Sequence, residues 1–237
     1  MMFDVIAFDA DDTLWSNMAL YENTQHKLAL LLTDYIDAEA LDKLLFATET
    51  RNIRYFGYGI KSFTLSMIET AVKIMEDDNQ NKIHGDIVLQ ILGFAKYMLT
   101  APVHLIDHVA DVLAQVAPSY ELMVITKGDL LDQQGKVDRS GLAGYFSEIE
   151  VVIEKNPETY ARILHTHRID PRRVLMVGNS LKSDVLPVLD IGGNAVHIPH
   201  ALTWAHEEID INPESGLKHI ELEHIGLLPA WLKNGAG

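Results

Sequence analysis

Two rhythms of apolar and polar positions run along this chain. Val5-Ile6-Ala7-Phe8 is a short unbroken apolar run that stops at Asp9, the form taken by a strand buried on both faces of a parallel sheet. The same form returns at residues 121–126 (ELMVIT), 148–153 (EIEVVI), 174–178 (VLMVG) and 195–198 (AVHI), so five strands are expected. Between them the apolar spacing becomes helical. Ile106, Val109, Leu113 and Val116 share one face, as do Tyr160, Ile163, Leu164 and His167 behind an Asn156 cap and Pro157. Strands alternating with helices predict an α/β fold, a doubly wound parallel sheet of Rossmann-like form. From residue 16 to 100 the alternation lapses and only helical patterns remain, such as Leu20, Thr24, Leu28, Leu31 and Tyr35. An α/β core of residues 1–15 and 101–237 with an inserted helical domain of residues 16–100 is therefore expected. Inside the insertion, residues 55–60 (YFGYGI) and 77–81 (DDNQN) read as breaks. After Pro199 the pattern weakens, although residues 225–232 can close the fold with a short helix; the tail has no functional reading.

Composition narrows the partners. The 237 residues are 48% hydrophobic and 22% charged, as in ordinary globular proteins, and carry a formal net charge of -15. That charge repels nucleic acid and anionic membrane surfaces at long range, and an anionic substrate needs a local cation. Cysteine is absent, which excludes disulfides, thiolate catalysis and thiolate zinc sites. Without a basic leader, a cleavage site or a run of eighteen apolar residues, the reading is a cytoplasmic protein. Oligomeric state is not written in the sequence.

Four short motifs fall at the C-terminal ends of expected strands, the edge where open parallel sheets bind ligands. The first is Asp9-Ala10-Asp11-Asp12-Thr13. Leaving a strand in extended form, Asp9 and Asp11 point to the same side, and two such carboxylates need a cation or a shared proton. Asp9 can attack phosphorus, while Asp11 can protonate the leaving oxygen and then deprotonate water. The second motif, Thr126-Lys127-Gly128, offers a hydroxyl and backbone N–H groups to phosphate oxygens. The third, Lys155, supplies positive charge to phosphate and nucleophile alike. The fourth, residues 178–184 (GNSLKSD), returns oxygen ligands to the pocket mouth. Oxygen-only ligation beside a phosphate suits Mg²⁺.

In these four motifs the sequence resembles the haloacid dehalogenase superfamily of phosphohydrolases, over residues 3–15 and 104–198. The resemblance implies an inserted helical cap, Asp9 as nucleophile of an aspartyl-phosphate intermediate, Asp11 as general acid/base, and Thr126 and Lys155 as phosphoryl ligands. It also implies Mg²⁺ on the Asp9 side chain, the Asp11 backbone carbonyl, and the last motif through Asn179 and Asp184. One position departs: the family usually has aspartate where Asn179 stands, so one negative charge is missing. Pro187 is a smaller departure, early in the following helix.

The substrate expected on this reading is a small phosphorylated metabolite. A phosphosugar mutase shares every core motif, and a non-catalytic phospho-ligand binder is compatible with Asn179. Arg51 and Arg54 share a helical face just before the 55–60 turn and are candidates to meet the non-reacting part of an anionic substrate. His165 and His167, two apart, point to nearly opposite helix faces and read as one surface and one core histidine. His197, His200 and His206 lie in a segment without a pattern and receive no metal role.

Overall fold

Parallel strands built from the apolar runs form the centre of this protein. The structure, a computed structural model of the chain, describes residues 3–77, 84–201 and 220–234. One sheet has the order β3-β2-β1-β4-β5-β6, with β1 Val5–Phe8, β2 Glu121–Lys127, β3 Glu148–Val152, β4 Val174–Gly178, β5 Asn194–His197 and β6 Ile220–Glu221. Every pairing is parallel. The sixth strand lies beyond the five expected. It is two exposed residues long and pairs only with the end of β5, so it has no apolar run to announce it.

Alternate residues of the strands serve opposite faces. Ile6, Phe8, Leu122, Val124, Leu175 and Val177 share a core with α5 (Val109–Val116) and α9 (Leu228–Lys233). Val5, Ala7, Met123, Ile125, Val174 and Met176 share another with α7 (Pro157–Thr166) and α8 (Leu186–Asp190). Ile6 and Phe8 are fully buried, and each stabilises the fold by about 1.5–3 kcal/mol. Ile106 stands outside α5; its N–H bonds the Leu14 carbonyl instead. Since β1 lies between β2 and β4, the winding reverses there, and a crevice opens outside the C-terminal ends of β1 and β4.

Chain contacts divide the protein into two units. One comprises Met1–Met18, Val103–Lys127 and Gln133–Gly237 and holds the sheet; the other comprises Ala19–Pro102 and Gly128–Asp132. The second unit is helical, with most of α1 (Met18–Leu31), then α2 (Ala38–Phe56), α3 (Ile60–Asp77) and α4 (Gly85–Thr100). Leu28, Leu41, Leu45, Ile60, Met67 and Ile91 form its core. Asp37 caps α2 by accepting the Ala40 N–H. The chain breaks between Phe56 and Ile60, as the glycines there imply; residues 78–81 of the second expected break lie outside the described residues. Arg51 of α2 is ion-paired with Glu69 of α3 at 2.6 Å, and Arg54 is exposed. No described helix is long and apolar enough to cross a membrane.

Candidate active site

The residues after β1 sit in the crevice because the strand ends there. Asp9 continues the ladder by donating its N–H to Val177 O at 2.9 Å, and the residue is 7% exposed. Asp9 Oδ1 accepts from Lys155 Nζ at 2.5 Å, and Oδ2 accepts from the Thr13 hydroxyl at 3.0 Å. Lys155, just past β3, also donates to Asp184 Oδ1 at 2.7 Å. Asp184 Oδ2 accepts the Ser180 N–H at 3.0 Å. Both Asp184 oxygens thus carry N–H donors, which turns this carboxylate toward Lys155. Asp184 can come this close only because residue 178 is glycine: a Cβ there would meet Asp184 Oδ2 at 2.2 Å.

One ammonium serving two buried carboxylates sets the electrostatics. Burial pushes the Asp9 carboxyl up to about 7; Lys155 opposes this, and Asp184 and Asp11 add to it. Burial alone would lower Lys155, but Asp184 and Asp9 together hold it well above the ordinary lysine range. The two shifts pull the pair in opposite senses. The unequal count resolves this: the ammonium is held firmly, and one acid is left under-compensated.

Asp11 takes a different set of partners. Its Oδ1 accepts from Trp15 Nε1 at 2.7 Å and Lys136 Nζ at 2.9 Å; its Oδ2 accepts from Gln133 Nε2 at 2.8 Å and Lys136 Nζ at 3.0 Å. The expected pair of carboxylates is therefore offset by two lysines, one for each acid. Gln133 and Lys136 lie on α6 (Leu130–Ser140), and the sequence reading passed over both. They fall three apart on a helix with little apolar content, so nothing in the local pattern signals that they are buried. The available clue is that α6 begins beside the Thr126-Lys127-Gly128 motif, which aims its first turns at the same sheet edge.

Asp12 has a left-handed backbone, φ 63°, a conformation that aspartate tolerates better than most side chains. Its carboxylate accepts the N–H groups of Asn17 and Met18 at the start of α1, and burial raises its pKa.

Thr126 is buried at the end of β2, with its hydroxyl turned to the Lys127 carbonyl at 3.4 Å. That carbonyl also accepts from Gln133 Nε2 at 3.0 Å, which ties the second motif to Asp11. Lys127 Nζ reaches Ser183 Oγ at 2.9 Å and Glu154 at 3.7 Å. Gly128 follows with φ 139°, a conformation open to glycine, and groups by its contacts with the helical unit. After β4 the chain makes a π-helical turn, Leu181–Val185, before α8, where Pro187 occupies the first turn. Tyr160 pins that turn by donating to Ser183 O at 2.9 Å.

The histidines stay at the margin. His197 Nε2 contacts Asn179 O at 3.1 Å and its Nδ1 contacts Glu221 at 3.0 Å. His206 lies outside the described residues. His165 is exposed, and His167 is half-buried and paired with Glu150 rather than set in the core.

The oxygen donors fit a hard divalent cation. Thr13 Oγ1 lies 3.0 Å from Asp9 Oδ2 and 3.3 Å from Asn179 Oδ1, so a carboxylate oxygen and an amide oxygen lie around one hydroxyl. The backbone carbonyl of Asp11 is a third oxygen in the same loop. Among the described residues no three His, Asp or Glu side chains gather as a metal cluster.

A family model described as haloacid dehalogenase-like hydrolase matches residues 3–192. No curated protein matches the chain in sequence. Among solved structures, a haloacid dehalogenase-like family hydrolase from Xanthomonas campestris is similar with a TM-score of 0.86 and 36% identity, over 98% of this chain and 91% of that one. A 2-haloacid dehalogenase from Pseudomonas syringae pv. tomato has a TM-score of 0.64 at 19% identity, over 98% and 99% of the two chains. A HAD-hydrolase protein from Bacillus subtilis bound to magnesium has a TM-score of 0.66 at 16% identity, over 98% and 100%. The last two likenesses concern the fold.

Proposed function

This chain belongs to the haloacid dehalogenase-like hydrolase family, and from that premise we propose that it hydrolyses a small phosphate monoester through a phosphorylated Asp9, with Mg²⁺ as cofactor. The observation that carries this reading is the presence of a second acid, Asp11, two residues past Asp9 and close enough to act on its charge. Displacement of halide from carbon needs no proton donor for the leaving group, whereas an alkoxide leaving phosphorus does.

In the proposed reaction an Asp9 oxygen bonds to phosphorus as the ester P–O bond breaks, and the departing oxygen takes a proton from Asp11. Water then gives a proton to Asp11 while its oxygen bonds to phosphorus. The bond to Asp9 breaks, which restores the carboxylate and releases phosphate. Lys155 and Thr126, with the backbone N–H of Lys127, hold the phosphoryl oxygens, and the Lys127 side chain adds charge at their edge. Asp184 positions Lys155. Asp9, the Asp11 carbonyl and Asn179 would hold the Mg²⁺, with Asp184 behind them. When bound, Mg²⁺ supplies positive charge between the anionic nucleophile and the phosphoryl group, which at an effective dielectric near 20 repel by roughly 4 kcal/mol per pair of unit charges about 4 Å apart.

Phosphate release from a panel of small phosphate esters, with Mg²⁺ and with chelator, tests the proposal on wild type and Asp9→Asn. Metal-dependent turnover that falls at least ~10³-fold in Asp9→Asn is expected. Phosphate moved within a sugar phosphate without release would identify a mutase. Binding of esters without turnover would identify a non-catalytic relative, and release of halide from 2-haloacids a dehalogenase.

A further inference from the structure

The lysine on α6 is a buried charged group that the four motifs leave unexplained. Lys136 is 4% exposed, and its ammonium donates to both oxygens of Asp11 and to Asn17 Oδ1 at 2.9 Å. Gln133, 2% exposed, spans Asp11 Oδ2 and the Lys127 carbonyl with one amide nitrogen. Trp15 closes the third side at 2.7 Å. Four N–H contacts from three side chains therefore fix a single carboxylate. Stability is a poor explanation for this arrangement, because a buried ion pair roughly breaks even against apolar residues of the same volume.

We propose that Lys136 is a positioning residue which, with Gln133, sets the direction of the Asp11 carboxylate before substrate arrives, so that Asp11 meets the leaving-group oxygen and later the attacking water. This deepens the phosphohydrolase reading and rests on it. Lys136 acts through the Asp11 oxygens to which it donates and is given no contact with substrate. Its loss therefore matters most where the leaving oxygen needs a proton and least where it does not.

Two esters separate this from a merely structural role. Glycerol phosphate has an alkoxide leaving group, while p-nitrophenyl phosphate leaves as a stable phenolate. In Lys136→Met, single-turnover release of glycerol is expected to fall about 10²-fold or more, while the nitrophenolate burst, which reports Asp9 phosphorylation, changes less than about threefold. Equal losses on both esters, or none on either, overturn the proposal. Lys136→Gln, which keeps an uncharged N–H donor group, takes the place of Lys136→Met if the latter does not fold, with the same split expected at smaller size. Wild type inert to both esters and to the whole panel would reject the phosphohydrolase reading instead. The judgement on Lys136 then passes to crystal structures of wild type and variant: an Asp11 carboxylate displaced from Trp15 and Gln133 supports positioning, and one unmoved without the lysine overturns it.

Discussion

Two carboxylate clusters in this protein use the same chemistry to opposite ends. In the sheet unit, Asp9 and Asp184 share Lys155 out of solvent. In the helical unit, Glu69 of α3 accepts from Arg51 at 2.6 Å, Lys73 at 2.8 Å and Asn52 at 2.8 Å, on a side chain 36% exposed. Glu69 is held down to about 2, first by Lys73, then by Asn52 and Arg51. Asp9 is pushed up to about 7, first by burial. Where cations outnumber acids beside water, the pair tightens; where acids outnumber the cation in the interior, one acid is left poorly compensated. The first arrangement ties α2 to α3, and the second is the one that the proposed reading gives to a nucleophile.

The largest break in this contrast comes from Lys155→Met. It strands two buried carboxylates, and the cost to stability at neutral pH is expected to be about 3–5 kcal/mol by denaturant unfolding. A loss below 1 kcal/mol would mean that the acids are not compensated by this lysine.

The second effect is in pH. Asp9 is raised from 3.8 to about 7 in the folded state, so between these values the folded protein binds the extra proton. Its contribution to stability is fully present below the unfolded value and is lost as pH rises through about 7. In metal-free buffer, wild type should lose stability relative to Asp9→Asn between pH 4 and pH 7.5, measured by unfolding at fixed temperature. A gap that stays constant over that range would show that Asp9 keeps its ordinary acidity.

Glu69 has the opposite sign: lowered from 4.5 to about 2, it stabilises above 4.5, and that stability is lost as pH falls toward 2. Because the cluster meets water, the effect is the smallest of the three. Glu69→Gln is expected to cost below about 1 kcal/mol at neutral pH, shrinking in 1 M salt. A larger, salt-independent loss would place Glu69 in the class of Asp9.

The sequence by itself determined the sheet, because strands buried on both faces must be apolar throughout, and that run is visible at Val5–Phe8 or Val174–Gly178 without any partner in view. It also determined the strand-end motifs, since Asp9, Thr126 and Asn179 directly follow or end such runs and Lys155 comes two residues after one. β6 escaped because two exposed residues gain their strand identity from β5 alone. The tertiary structure alone decided how charges are shared. Lys155 lies 146 residues from Asp9 and Lys136 lies 125 residues from Asp11, and which ammonium faces which acid depends on the order in which parallel strands are laid down. Lys136 and Gln133 went unread in the sequence, because burial of a polar side chain is specified by the partner it meets and not by its neighbours in the chain.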